Sequence, residues 1–375
     1  RQEQYKSSSS NQRQKNCVWS PPYTHIFPDI AARTHYLLLM KPLLLPLPFL
    51  LATTLAAQTL PHPLTDADFL AVAMPEARLG QLLFYDPILS GNREVACATC
   101  HHPDLGTADG VSLSFGDGGI GLGPDRRADP DNMPEKRIPR NAPALFNLGA
   151  HEFTVLFHDG RLEADDSKPS GIRTPMGEEM LAGFTSILSA QTMFPVLSRD
   201  EMAGSFGEND VARLVRQGII TGEGGAWDVL SRRVAALPDY ADAFIAAYPH
   251  IDTPDDIAFT DISNAIAAFM ALEWRSDTAP FDAVLEGDLE LTGAARTGMD
   301  LFYGEAACAS CHTGPFLTDH DFHVMGAPQI GPGKAATFET HTRDDGRFRV
   351  TGREEDRYAF RTPSLRNVAP VSYTH

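Results

Sequence analysis

Cys97-Ala98-Thr99-Cys100-His101 and Cys308-Ala309-Ser310-Cys311-His312 are two copies of one pattern, C-x-x-C-H, set 211 residues apart. Two thiols at this spacing share one turn of chain, where they can form thioether bonds to both vinyl groups of a haem. The following imidazole then lies beneath the iron. A single C-x-x-C would equally suit a redox dithiol or half of a zinc site. Two copies, each followed at once by His, in a chain whose one other cysteine is Cys17, select covalent c-type haem at both. Cys97, Cys100, Cys308 and Cys311 are therefore the expected anchors, with His101 and His312 as iron ligands.

The duplication extends upstream. Arg78-Leu79-Gly80-Gln81-Leu82-Leu83-Phe84-Tyr85 precedes the first motif, and Arg296-Thr297-Gly298-Met299-Asp300-Leu301-Phe302-Tyr303 precedes the second. Both read as the end of a helix that feeds a haem loop. A period this long excludes a solenoid and predicts two domains. Between the motifs the apolar spacing is helical over 209–220, 226–248 and 262–274, whereas the Gly-dense stretch 111–131 reads as a loop. No run of alternating strands stands out. The expected class is mainly α, with two cytochrome c-like haem domains packed together. The boundary falls at Asp277-Thr278-Ala279-Pro280, giving domains of 58–276 and 277–375.

The chain of 375 residues has ordinary globular composition, 43% hydrophobic and 21% charged. Its net charge of −18 opposes nucleic acid as a partner, because phosphate binding needs a basic face. Residues 1–39 show no sustained periodicity and are expected to be upstream sequence. Met40-Lys41 then opens a short basic start, followed by fifteen apolar-rich residues from Leu43 to Ala57. That run is too short to span a bilayer, and Pro46 and Pro48 would break a core helix. It reads as a secretory signal peptide over 40–57. Export to the periplasm follows, with no membrane span after its removal. The first 57 residues carry six Lys/Arg against two Asp/Glu, so the remainder carries −22.

Two haems suit an electron carrier as well as an enzyme. An enzyme needs one open iron position with an acid–base group beside it. After His102, no histidine occurs before Asn141, and Met133 is the nearest alternative ligand. The first site is thus short of a second protein ligand.

From Leu79 to Ala369 the chain resembles the bacterial dihaem cytochrome c peroxidases and the related MauG-type enzymes. The resemblance rests on the two haem motifs, on Arg140-Asn141-Ala142-Pro143 with Phe146-Asn147, and on Phe157-His158-Asp159-Gly160-Arg161. It continues through Ala265–Phe269, Pro280-Phe281-Asp282, Gly314-Pro315-Phe316 and Thr362-Pro363-Ser364-Leu365-Arg366-Asn367-Val368. It implies that Gln191, Pro195 and Glu201, at the family's spacing, line the open face of the N-terminal haem. Reducing peroxide requires a proton to move from one oxygen to the other. A carboxylate in an apolar pocket can carry it, and an amide can orient the peroxide. A lone Glu is otherwise most often a surface residue.

The chain departs from the family in several places. His158 replaces a Trp that lies between the haems, and either takes over its place in electron transfer or only hydrogen-bonds. The stretch 162–186 lengthens the loop before Gln191. The distal Met or Tyr of the second haem comes, in the family, from beyond the Leu-Arg-Asn-Val motif. The C-terminal domain is therefore expected to be truncated, with residues 370–375 as a foreign tail and no role for His375. Met325 is not expected to be a ligand. The resemblance also implies one calcium ion, with Asn141 matching one of its ligands.

The reading is a periplasmic dihaem peroxidase that reduces H2O2 to water. Its electrons would come from a small basic donor, a cytochrome c or a cupredoxin, steered by the acidic surface. A homodimer is left open. The alternatives are a MauG-like oxidase that modifies a protein side chain, and a dihaem electron-transfer cytochrome without a substrate.

Overall fold

The structure, a computed structural model, describes residues 60–326 and 344–370. The expectations for residues 1–57, for Cys17 and for the last five residues with His375 lie outside the described residues.

The helices are α1 (Met74–Tyr85), α2 (Cys97–Cys100), α3 (Ile187–Thr192), α4 (Asp210–Gln217), α5 (Ala226–Ala235), α6 (Pro238–Ala247), α7 (Phe259–Glu273), α8 (Pro280–Glu286), α9 (Gly293–Tyr303) and α10 (Phe348–Thr351). The strands are no more than three residues long: β1 (Gly119–Ile120) pairs with β2 (Arg127–Ala128), β3 (Val155–Leu156) with β4 (Leu162–Ala164), β4 with β5 (Ile172–Arg173), and β6 (Phe322–Val324) with β7 (Ala359–Arg361). All the pairings are antiparallel. The mainly α class holds. The stretch 226–248 is two helices, because Pro238 has no N–H to continue α5 and instead opens α6. The 111–131 loop is irregular apart from the β1–β2 ribbon.

The core forms where α1 crosses α7. Helix α7 carries the Ala265–Phe269 run and is buried along nearly its whole length, with Asp261, Ser263 and Asn264 among its buried polar residues. Phe84 of α1 packs between Phe269 and Trp274, at ring separations of 5.3 and 4.9 Å. The helices approach so closely that a Cβ on Gly80 would lie 1.8 Å from the Ala265 carbonyl oxygen. Its repeat counterpart Gly298 meets nothing within 4 Å, and α9 has no buried residue. The two halves of the duplication are thus packed unequally among the described residues. Farther along, Trp227 stacks on Phe259 and donates from Nε1 to the Met193 carbonyl at 3.0 Å.

The long stretch 162–186 is folded back rather than free. It supplies β4 and β5, and its end is tied to α7 by Asn264, which accepts from Thr185 N at 3.1 Å and donates to Gly183 O at 3.0 Å. The later segments dock on the earlier ones through buried polar contacts. Arg347 donates to Gly160 O at 2.8 Å and to Glu163 at 2.6 Å, and Phe316 packs edge-on against Phe69 and Phe153. Among the described residues no helix is long and apolar enough to cross a membrane.

Gly80→Ala is expected to destabilise the holoprotein by about 1–3 kcal/mol, the ordinary cost of overpacking, or more where the backbone cannot yield. Denaturant unfolding checks this; an unchanged midpoint would contradict the close crossing.

Candidate functional site

Helix α2 is one turn long and consists of Cys-Ala-Thr-Cys itself. Thr99 Oγ1 accepts from Ala96 N at 3.0 Å and closes its N-terminus, while His101 N donates to Cys97 O at 3.0 Å. The second motif repeats the geometry, with His312 N donating to Cys308 O at 3.0 Å. In each, the imidazole Nδ1 meets a main-chain carbonyl a few residues on: Thr107 O for His101 at 2.9 Å, and Leu317 O for His312 at 3.1 Å. Both carbonyls belong to non-glycine residues at positive φ, +61° and +54°, so the loop is bent to aim them. An Nδ1–H donated to a carbonyl leaves Nε2 as the free ligand atom.

Burial pushes His101 below the ordinary histidine range, against the pull of the Thr107 carbonyl and the Asp109 carboxylate, and so favours the neutral ring. Burial likewise pushes the Cys97 and Cys100 thiols up to about 12. Thiols held protonated are poor redox nucleophiles, which counts against a dithiol function. The second motif lies nearer the surface, with Cys308 exposed.

Glu201 sits on a five-residue π turn, Arg199–Ala203, a geometry often found at functional sites. Its carboxyl is enclosed, and burial raises its pKa from 4.5 to about 7. The positive charge of Arg161 opposes that rise, Asp200 adds to it, and a hydrogen bond from Ser198 opposes it. The same carboxylate is close enough to raise the Cys100 thiol. Glu201 is thus half-buried and within electrostatic reach of the first haem motif. Gln191, at the end of α3, carries a buried side-chain oxygen with no hydrogen-bond partner. Met133, the alternative ligand, is 66% exposed.

His158 is half-buried, its ring stacked on Phe360 at 6.0 Å and its Nε2 3.4 Å from Asp344 Oδ2. Arg140 lies over the same Phe360 ring and pairs with the same Asp344. Burial lowers the pKa of His158, with Asp344 acting the other way. Asn141 donates to Val111 O at 2.9 Å and Ser112 O at 3.3 Å, while its Oδ1 is buried without a partner.

Residues 74–290, more than half of the chain, match the di-haem cytochrome c peroxidases. The chain belongs to that family. It is 29% identical over 312 residues to the methylamine utilization protein MauG of Methylorubrum extorquens, covering 83% of this chain and 66% of the relative. It is 28% identical over 311 residues to the cytochrome c551 peroxidase of Pseudomonas aeruginosa, covering 83% and 70%. The chain thus spans about two thirds of the length of these curated relatives. A solved MauG-like protein associated with microbial copper homeostasis superposes with a TM-score of 0.55 at 26% identity, covering 84% of this chain and 75% of that one.

Membership in this di-haem family implies two c-type haems, and the residues fit them. Each histidine has its Nδ1 tied to a main-chain carbonyl, which makes Nε2 the nitrogen to hold iron, and all four motif cysteines are free thiols. Cys311 Sγ also lies within 4.8 Å of ligand atoms of Asp319 and His323. A thioether at Cys311 removes the thiolate such a metal site would need, so none is assigned. Sequence reasoning gave no part to Arg161, although it ends the quoted Phe157–Arg161 marker. Only the fold shows its charge reaching Glu201.

Replacing Cys97 and Cys100 together by Ser should leave one haem per chain, about half the alkaline-pyridine haemochrome absorbance of the parent. Two haems retained in that variant would contradict the assignment of the first motif.

Proposed function

We propose that this chain acts as a periplasmic dihaem cytochrome c peroxidase, exported by the leader at 40–57, in which H2O2, two protons from solvent and two electrons from a small redox protein give two waters. The observation that carries the reading is the enclosed Glu201 carboxyl, with a pKa near 7, beside the first haem motif. Haem held at His101 supplies the iron at which peroxide is reduced, and haem held at His312 supplies a second redox centre.

The chain's own part is proton handling and orientation. The Glu201 carboxylate takes a proton from one peroxide oxygen and returns it to the departing one, which leaves as water. A pKa near the working pH suits a group that must do both. Gln191 offers its unpartnered oxygen to a peroxide O–H; at this site an amide can turn to present either end. Arg161, held by Asp159 through Nε at 2.9 Å, keeps the carboxylate accessible as an anion. His158, stacked on Phe360 and facing Asp344 at 3.4 Å, is placed either to carry electrons or to pair with that carboxylate. Asn141 Oδ1 offers one oxygen to a calcium ion. The acidic balance of the chain favours a basic donor, with rates that fall as salt rises.

One observation favours the second reading, a MauG-like oxidase of a protein side chain. Residues 103–140 contain no histidine that could close the first iron. A high-spin ferric EPR signal fits either enzyme. Two low-spin haems that stay inert to peroxide after half-reduction would remove both and leave the electron carrier. Turnover of H2O2 with a reduced cytochrome c or cupredoxin separates the peroxidase from the oxidase.

For the peroxidase, kcat/KM for H2O2 should rise with pH through about 7, because the carboxylate is the form that accepts the first proton. Glu201→Gln should lose this limb and about 100-fold or more in rate with both haems bound. Stability gives a second readout. With a folded pKa above 4.5, the native state holds a proton that the unfolded chain releases between about 4.5 and 7, so stability falls as pH rises across that window. Glu201→Gln should remove that component of the slope. An unchanged pH profile in both measurements would refute the role of Glu201.

A further inference from the structure

The π turn that carries Glu201 is held from outside by an unusual arrangement. Glu201 N, Met202 N and Ala203 N all converge on the one carbonyl of Ser198, at 3.2, 3.0 and 2.9 Å. The three carbonyls of the same residues each accept from a different segment. Asp117 N donates to Glu201 O at 2.9 Å, Gly91 N to Met202 O at 2.7 Å, and Asn209 Nδ2 to Ala203 O at 2.9 Å. The approach is close on every side. A Cβ on Gly91 would lie 2.0 Å from Ala203 O, and one on Gly116 would lie 2.4 Å from Glu201 O.

These three donor segments meet at one side chain. Asn92 Nδ2 donates to both oxygens of Asp117, at 3.0 and 3.2 Å, and to Glu208 Oε2 at 2.8 Å. Asn92 Oδ1 accepts from Asn209 Nδ2 at 2.8 Å, the same amide that holds Ala203 O. Glu208 in turn accepts from Ser205 N at 2.7 Å, just after the turn. Gly204, at φ +85°, gives the chain room to pass, since a Cβ there would lie 2.9 Å from Asn92, Asn209 and Glu208 alike. An amide is the one small side chain that can donate to two carboxylates and accept from a second amide at once.

We propose that Asn92 is a positioning residue for Glu201: by joining Asp117, Glu208 and Asn209 it locks the three donors that fix the backbone of the turn, and so sets where the Glu201 carboxyl stands. This rests on the reading of Glu201 as the proton carrier. Asn92 touches neither substrate nor cofactor; it acts through the three carbonyls. Glu94, Glu208 and Arg126 are the charges that act on Asp117, and burial holds its pKa up at about 6. The Asn92 hydrogen bonds act the other way and favour the Asp117 carboxylate.

The test is Asn92→Ala in the holoprotein, with haem content measured first. The expected result is two haems per chain, a loss of about 10- to 100-fold in kcat/KM for H2O2, and a pH midpoint moved below about 7 as the loosened carboxyl gains water. A structural effect alone would lower the unfolding midpoint without moving the pH midpoint. Glu208→Ala, at an exposed side chain, should shift the midpoint in the same direction by less. Glu208 is not among the charges acting on Glu201, so that shift would report position. An unmoved midpoint in Glu208→Ala overturns the proposal even where Asn92→Ala fails to load both haems. If Glu201→Gln abolishes turnover while Asn92→Ala keeps the wild-type rate and midpoint, only the cradle is wrong. If Glu201→Gln keeps turnover, both readings fall.

Discussion

A hydrogen bond from an imidazole Nδ1 to a main-chain carbonyl fixes which nitrogen of each motif histidine remains free, and in what direction. A ring on a flexible turn would otherwise sample two tautomers and a range of angles, and could not hold an iron rigidly. Here the carbonyl is itself held. Thr107 is 1% exposed, sits at φ +61°, and its Oγ1 accepts from Leu145 N at 2.7 Å. Leu145 belongs to the core that α1 and α7 organise. The strain of a β-branched residue in the left-handed region is thus offset by packing, and the direction of His101 is inherited from the helix crossing. In the second motif Leu317 stands in the same conformation. Thr318 beside it is anchored to Thr362 O at 2.7 Å, and Ser364 Oγ donates to Phe316 O at 2.6 Å.

Glu201 obeys a different logic. A carboxylate in an enclosed place is costly, and the cost shows as a raised pKa. Were nothing holding the turn, the side chain would reach for water and its pKa would fall back. The backbone is held instead, through its carbonyls, by groups that do not touch the carboxyl. Ser198 and Arg161 act on the carboxyl directly and lower its pKa; the groups that clamp the main chain are not among the causes acting on it, and further polar contacts would lower it more. Clamping the main chain keeps the side chain poorly solvated without neutralising it.

Much of this was legible in the sequence. The two C-x-x-C-H motifs, the duplicated helix ends before them and the periodicity of α4 and α7 all follow from local spacing, which structure has little freedom to override. Gln191 and Glu201 are both half-buried, with a buried, unpartnered Gln191 oxygen and a raised Glu201 pKa. What sequence could not give is long-range. Asn92, Asp117 and Glu208 are far apart in the chain, none lies in a recognisable motif, and single Asn and Asp residues are ordinary turn formers. The glycines were a weak signal. Gly91, Gly116 and Gly204 look like loop punctuation, and only the fold reveals that the first two press on one turn while Gly204 closes it beside Asn92, Asn209 and Glu208. Pro238 is the residue that marks the break between α5 and α6, set between two Ala-rich stretches.

The unequal packing of the two repeats bears on how they divide the work. The first motif is enclosed by the α1–α7 core, by the 111–131 loop and by the Glu201 turn, and burial dominates the titration of its histidine and thiols. The second has an exposed Cys308 and a preceding helix without a buried residue. Proton transfer to a small neutral substrate benefits from exclusion of water, because each charge interaction strengthens as the local dielectric falls. Electron exchange with a protein partner needs the opposite, a redox centre close to a surface the partner can reach. The histidine tether is the same in both halves, so the proposed proton chemistry at the first motif would depend on what encloses it and not on the motif itself.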